Sequence, residues 1–266
     1  MSSKAENTSL TVVTVTFNSV NTLEACLRSV CNQTEKKFVH LVIDGGSSDD
    51  SVSLLSEKGY VELDPRAKVA EAGRYFVSEI DRGVYDAMNT GLSLTDTSHV
   101  IFLNSDDYFV DCHVVRRIIQ NLVSYELQLH GICYRENGRD RVFRPVSITA
   151  EDVIFDKSLR RAPHPCIVFP VTELRYDLRH QLASDYEYVI ESLLKFGPPK
   201  VFDECATVMV RSTSQLSVRH RNIMLSESNK IAKSYNLVGN LKVRFNLLLW
   251  GVKNIVPVMT KKLGIV

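Results

Sequence analysis

Four short apolar runs, each ending in a cluster of Asp, Asn, Ser or Gly, constrain this chain more than any other feature. LTVVTVTF (10–17) is rich in β-branched residues and reads as a buried strand. Behind it, Asn21 and Glu24 form a capping-box-like pair, and Leu23, Cys26, Leu27 and Val30 recur at helical spacing. FVHLVI (38–43) predicts a second strand ending at Asp44-Gly45-Gly46, with a short helix over 50–57. RYFVSE (74–79) predicts a third strand, and Val84, Met88 and Leu92 mark one face of the next helix. HVIFL (99–103) is the fourth, ending at Asn104-Ser105-Asp106-Asp107. Strands that alternate with helices in this way predict an α/β fold with a mainly parallel central sheet flanked by helices.

Beyond residue 125 the alternation loosens. LHGICY and RVFRP flank an Asn137-Gly138 turn, the signal of a hairpin. A helix opens at Ser184, where Glu187 completes a capping-box pattern, and closes at Gly197 before two prolines. Near residue 215 the pattern gives way to helical, basic sequence. From 240 to 266 the chain carries Lys242, Arg244, Lys253, Lys261 and Lys262 with no acid, alongside Leu247, Leu248, Leu249, Trp250, Ile255 and Val256. Such a segment can lie in a membrane interface and be drawn to anionic lipid, or pack as a helix on the preceding domain. Pro257 should kink any helix there.

Composition excludes several classes. Hydrophobic content of 44% and charged content of 24% are those of a globular protein with a sizeable core. A net charge of +1, from 32 basic and 31 acidic side chains, supplies no global field for nucleic acid. The cysteines at 26, 31, 112, 133, 166 and 205 form no C-x-x-C pair and no Cys/His metal spacing, which fits reduced thiols in the cytoplasm. The opening MSSKAENTSL lacks the apolar run of a secretory signal, and no stretch is apolar for the roughly 18–20 residues a membrane span requires.

In open α/β sheets, ligands gather beyond the carboxyl ends of parallel strands. TFN (16–18), DGGSSDD (44–50) and NSDD (104–107) all fall there. Any one of them has an ordinary reading as a turn. Their joint occurrence points to a site, with Asp106-Asp107 at its sharpest point. Two adjacent carboxylates repel unless a cation relieves them, and a hard divalent ion such as Mg²⁺ or Mn²⁺ takes carboxylate oxygen while leaving positions open for phosphate. A solvated acidic turn is the alternative.

The strings TVVTVTFNSVNTLEACLRSVCNQT, LVIDGGSSDDS, SEIDRGVYDAMNTGL and VIFLNSDDYF resemble the family 2 glycosyltransferases, which have a GT-A fold. Within that family they resemble the branch that includes bacterial colanic-acid and related exopolysaccharide transferases. The resemblance is strong over 10–110 and looser over 160–215. It implies a GT-A-like catalytic domain over 1–215 with a helical, basic C-terminal extension over 216–266. It implies an inverting, metal-dependent transfer of a single sugar from a nucleotide-diphosphate sugar to a glycan or lipid-linked glycan, assisted by Mg²⁺ or Mn²⁺. The Q-x-x-R-W string of the processive members is absent from the sequence.

Residue by residue, the resemblance places Thr16 and Phe17 in the nucleotide pocket and Asp44 against the base. Gly45 stands where the commoner pattern has a second acid. Asp81, Asp86 and Asn89 fall in the segment approaching the sugar-diphosphate. Asp107 is expected as the direct metal ligand, with Asp106 supporting ribose or metal. Asp185 in SDYEY matches the family's base motif, with Ser184 in place of a Glu. In the first turn of its helix, Asp185 is expected to be held deprotonated by the helix dipole. His164 in PHP, and the cluster Arg211, Arg219, His220 and Arg221, are weaker candidates for acceptor or phosphate contacts. Two rivals remain: a nucleotidyltransferase, disfavoured because TFNSVNTL lacks a Gly-rich basic loop, and a non-catalytic sugar-nucleotide-binding protein. The expected location is the cytoplasm, on the inner face of the cytoplasmic membrane if the basic segment binds lipid.

Overall fold

A computed structural model describes residues 9–157, 159, 162–211 and 219–235. The basic segment 240–266 lies outside these, and so do most of the linking residues before 219.

The four apolar runs form strands β1 (Leu10–Thr16), β2 (Val39–Asp44), β4 (Gly73–Ser78) and β5 (His99–Phe102), with a two-residue β3 (Val61–Glu62) at one edge. They pair in parallel in the order β3-β4-β2-β1-β5. Every residue of β1 and β2 is buried, as expected for central strands covered on both faces. Alternation along β1 sends Val13 and Val15 into one core and Leu10 and Val12 into the other.

Helices α1 (Val20–Cys31), α2 (Ser51–Glu57) and α3 (Val84–Leu94) connect these strands. The α1 residues Leu23, Cys26, Leu27 and Val30 are buried, as their spacing predicts. The expected Asn21–Glu24 capping box is not formed. Instead, Val20 N–H donates to Asp49 Oδ2 at 3.1 Å and Ser19 N–H to Ser51 Oγ at 3.2 Å, so the helix start is capped from the loop after β2. Helix α3 lies close on the sheet at Gly91, where an added Cβ would stand 2.6 Å from Val13 Cγ1.

The second half extends the sheet with mixed polarity. β9 (Ile167–Pro170) is antiparallel to β5 and to β7 (Gln128–Glu136). β7 runs parallel to β10 (Lys200–Arg211), and the short β6 (Tyr108–Phe109) closes the far edge against β10. The expected hairpin is present as β7 and β8 (Arg139–Phe143), turning at Asn137 and Gly138, both with positive φ. Helices α4 (Val114–Gln120), α5 (Ala150–Asp156), α6 (Ser184–Phe196) and α7 (Arg221–Ser234) complete the described residues. α5 carries a full capping box between Thr149 and Asp152, with Asp in the position where the motif more often has Glu or Gln. The helix expected at Ser184 ends as predicted at Gly197, with φ 81°. The predicted Ser184–Glu187 box is absent: Ser184 is the first helical residue, and its buried hydroxyl has no partner among the described residues.

α7 is part of the main core. Ile231 and Ala232 are buried in the cluster that also holds Phe169, Tyr176 and Tyr188. All six cysteines are unpaired. Among the described residues no helix is long and apolar enough to cross a membrane.

Candidate active site

Because β4, β2, β1 and β5 run parallel, their carboxyl ends share one edge. The register pairs Thr16 with Asp44 and Asp44 with Ser78. The segments after Ser78, Asp44, Thr16 and Phe102 therefore stand side by side, and the sequence-predicted residues gather there.

Along this edge the side chains divide into those that offer a surface and those that hold the loops. Asp44 belongs to the second group. It is 0% exposed, and its carboxylate accepts from Gly46 N–H at 3.1 Å, Ser47 N–H at 2.9 Å, Ser78 Oγ at 2.7 Å and the Ser47 hydroxyl. These bonds fix the 44–47 turn and fasten it to the end of β4. Asn18, with φ 48°, clamps the same loop by accepting from Ser48 N–H at 2.8 Å. Thr16 is buried, and its Oγ1 has no partner among the described residues. Phe17, by contrast, is 60% exposed and Ile80 91% exposed, leaving two apolar faces open at the ends of β1 and β4.

The Gly45 position gains a physical reason. A Cβ there would lie 2.7 Å from Asp81 Oδ2, so the Asp81 carboxylate fills the space a side chain at 45 would need. Burial, with the neighbouring charges of Asp86 and Asp44, raises the Asp81 pKa, opposed by a hydrogen bond from Gly83 N–H at 2.8 Å. Asp86 is engaged by Arg82 through Nε at 3.0 Å and Nη2 at 3.1 Å, and this pairing holds its pKa low. Asn89 does not face the edge. Its amide accepts from Tyr176 N–H at 2.8 Å and donates to Tyr176 O at 2.9 Å, tying α3 to the strand-free segment before α6. Replacing Asn89 by Ala would leave both backbone groups without partners. We expect a loss of about 1–3 kcal/mol in urea unfolding, with nucleotide binding retained.

The acidic pair also divides. Asp107 is 1% exposed; its Oδ2 accepts from Asn104 Nδ2 at 3.2 Å and its Oδ1 from Val210 N–H at 3.3 Å. Burial, with the adjacent charge of Asp106, raises its pKa well above the carboxylate range. Asp107 therefore ties the end of β5 to β10, and the more accessible Asp106 is the carboxylate presented at the edge. The donor set is wholly oxygen and adjacent to a second acid, which suits a hard divalent ion sharing its remaining positions with phosphate and water. Beside the pair, Arg211 at the end of β10 stacks over Tyr134 at 4.0 Å.

Asp185 arrives at this edge from a distant part of the sequence. Tyr85, at the start of α3, donates its hydroxyl to Asp185 Oδ1 at 3.0 Å, and Tyr186 N–H donates to the same oxygen at 2.9 Å. Burial raises the Asp185 pKa to about 6, against these two hydrogen bonds. Desolvation thus outweighs the favourable helix terminus expected to keep the group ionised. Tyr85 itself stacks on Tyr176 (5.6 Å between ring centroids), which stacks in turn on Tyr188 at 4.3 Å. His164 belongs to the same aromatic layer. It is buried, bonded to the Tyr176 hydroxyl, and burial lowers its pKa to about 3, so it is a neutral core residue and not a ligand group. Tyr85 lies within SEIDRGVYDAMNTGL, but nothing in that string distinguishes a tyrosine that reaches the site from one that only fills the core.

A family model described as "Glycosyl transferase family 2" matches residues 11–169. A glycosyltransferase of Mycobacterium tuberculosis is 31% identical over 200 residues, spanning 71% of this chain and 70% of its own length. A PGL/p-HBAD biosynthesis glycosyltransferase of Mycobacterium bovis is 23% identical over 222 residues, covering 77% of this chain and 76% of that one. Among solved structures, residues 1–349 of S. aureus TarS in complex with UDP superpose with a TM-score of 0.63 at 16% identity, covering 88% of this chain and 67% of that one. The mannosyltransferase PcManGT of Pyrobaculum calidifontis, in complex with GDP-Man and Mn²⁺, gives 0.53 at 12% identity, covering 94% and 81%. The mixed α/β fold is that of these GT-A transferases. With the family model spanning more than half of its length, this chain belongs to glycosyl transferase family 2 and is a glycosyltransferase.

Proposed function

We propose that the enzyme moves a single sugar from a nucleotide-diphosphate donor to a hydroxyl of a glycan or lipid-linked glycan, with inversion at the anomeric carbon. The observation that carries this reading is the placement of two different carboxylates on one sheet edge. Asp106 stands just past the carboxyl end of β5, and Asp185 stands in the first turn of α6 beneath the Tyr85 hydroxyl; both are partly exposed. One stands beside a second acid and the other is bonded by a tyrosine hydroxyl, surroundings that suit two different tasks. The donor class is supported by the neighbouring structures with UDP and GDP-Man.

In this reading the nucleoside lies over the exposed Phe17 and Ile80, beside the loop that Asp44 and Asn18 hold rigid. Asp106 would hold Mg²⁺ or Mn²⁺, an ion that would offset the charge of the departing diphosphate. Both Asp185 hydrogen bonds fall on Oδ1, so Oδ2 is the oxygen that takes the proton of the acceptor hydroxyl as it attacks. The test is incubation with Mn²⁺, a panel of UDP-, GDP- and dTDP-sugars and glycan acceptors, following nucleoside diphosphate release and product anomer by NMR. A product that keeps the donor's anomeric configuration would overturn inversion; no release from any donor would overturn the donor class.

A second element of the reading concerns location. The basic, apolar composition of 240–266 favours contact of a cytoplasmic enzyme with an anionic membrane surface. The intact protein should co-sediment with phosphatidylserine vesicles at low salt, and a chain lacking 240–266 should not. Equal sedimentation of both chains, or of neither, would refute it.

A further inference from the structure

The turn that delivers Asp185 is held by a residue from α7, the last helix among the described residues. Glu227, on α7, accepts three backbone hydrogen bonds from consecutive residues just before α6: Gln181 N–H to Oε1 at 2.9 Å, Leu182 N–H to Oε2 at 2.8 Å, and Ala183 N–H to Oε2 at 3.1 Å. The Asp185 carboxylate meets the Tyr186 amide, but no side chain of α6 reaches amides 181–183 among the described residues. The N-cap residue of that helix is Ala183, which has no side-chain acceptor, and the Ser184 hydroxyl makes no bond among the described residues. The amides at a helix start need acceptors, and a carboxylate is the best of them because it also meets the positive end of the helix dipole. A second grip lies further along α6, where Tyr235 donates its hydroxyl to Glu191 Oε1. Between these grips, Ser228, Ile231 and Ala232 are buried, which sets α7 rigidly against the core.

We propose that Glu227 is a positioning residue for sugar transfer: by holding amides 181–183 it fixes where Asp185 stands relative to Tyr85 and the acceptor hydroxyl. Helix α7 is then a working part of the active site. This inference rests on the reading of Asp185 as the base. Asp185 stands two residues beyond the last amide that Glu227 holds, so freedom in that turn passes directly to its carboxylate. Misplacement of a reacting group by about 1 Å can cost on the order of a hundredfold in rate.

The experiment compares full-length wild type, Glu227→Ala, Glu227→Gln and Asp185→Asn, using the donor and acceptor that turn over in the panel above. Glu227→Ala should lower kcat by about ten- to a hundredfold, with the donor KM unchanged. It should also speed amide hydrogen exchange at 181–186 while leaving exchange at 44–50 as in wild type. Glu227→Gln keeps an acceptor oxygen and should recover a large part of both. A cap that merely stabilised the fold would lower the amount of folded enzyme and spare kcat per folded molecule. Wild-type kcat and wild-type exchange at 181–186 in Glu227→Ala would overturn the proposal. Should Glu227→Ala not fold, Glu227→Gln decides: kcat and exchange both identical to wild type would overturn it, and a joint partial loss would support it. Full activity in Asp185→Asn would instead refute the base assignment, so the two failures are told apart.

Discussion

Asp185→Asn should abolish sugar transfer while leaving the protein at least as stable as wild type above pH 6. The loss follows from the role of the carboxylate: an amide cannot take the acceptor proton, and removing a general base costs on the order of 10²–10⁴ in kcat. Stability should move the other way. The folded pKa of Asp185 is raised from the ordinary 3.8 to about 6. Below pH 4 the group is protonated in both folded and unfolded chains and burial carries no charge penalty. As pH rises through about 6 the folded protein must hold a desolvated carboxylate, and stability falls. Asn is nearly isosteric, and its Oδ1 can still accept from Tyr85 and Tyr186. It should therefore gain up to about 1–3 kcal/mol at pH 8, read as a higher Tm, with the difference vanishing near pH 4. The same titration predicts that wild-type kcat/KM falls as pH drops through 6. An acid limb that persists unchanged in a residually active Asp185→Asn would show that another group governs it.

The second large effect separates the acidic pair. Asp106→Ala should reduce metal-stimulated donor turnover by about 10²–10³ and weaken UDP binding in the presence of Mn²⁺, with little change in unfolding. Asp107→Ala should behave differently, because it strips partners from the Asn104 amide and the Val210 N–H. A loss of about 1–3 kcal/mol in stability is expected, with activity falling in step as β5 loosens from β10. Calorimetry of UDP with Mn²⁺ against each variant checks this without relying on turnover. If Asp107→Ala kept its stability but lost Mn²⁺-dependent UDP binding, while Asp106→Ala retained it, Asp107 would be the metal ligand.

How these residues are used is only partly legible in the sequence. The strand ends can be found because β-branched runs are local signals and turn residues stop them. Local pattern alone thereby places Thr16, Asp44 and Asp106 at carboxyl ends of strands, while Asp81 comes only from the resemblance. Their individual roles are not readable there. The bonds that Asp44 accepts from Ser47 and Ser78 cannot be read from the string DGGSSDD. Asn89 looks like a site residue until the Tyr176 backbone is seen to occupy it. Two expected caps fail for one reason. The motif assumes a local partner, whereas α1 takes its cap from Asp49 and α6 from Glu227.

The sequence by itself determined the α/β alternation, the parallel character of the first strands, the family, and the edge on which the chemistry gathers. All of these rest on periodicity and on motifs written within a few residues. Only the tertiary structure distinguishes the surroundings of Asp106 from those of Asp107, since the difference depends on a backbone amide at Val210 that reaches the end of β5 through sheet pairing. It also decided the ionisation of Asp185, because a pKa reflects the solvent excluded by everything packed around a group. That packing comes from α3, α6 and the aromatic layer beneath them, segments that meet only in the folded chain.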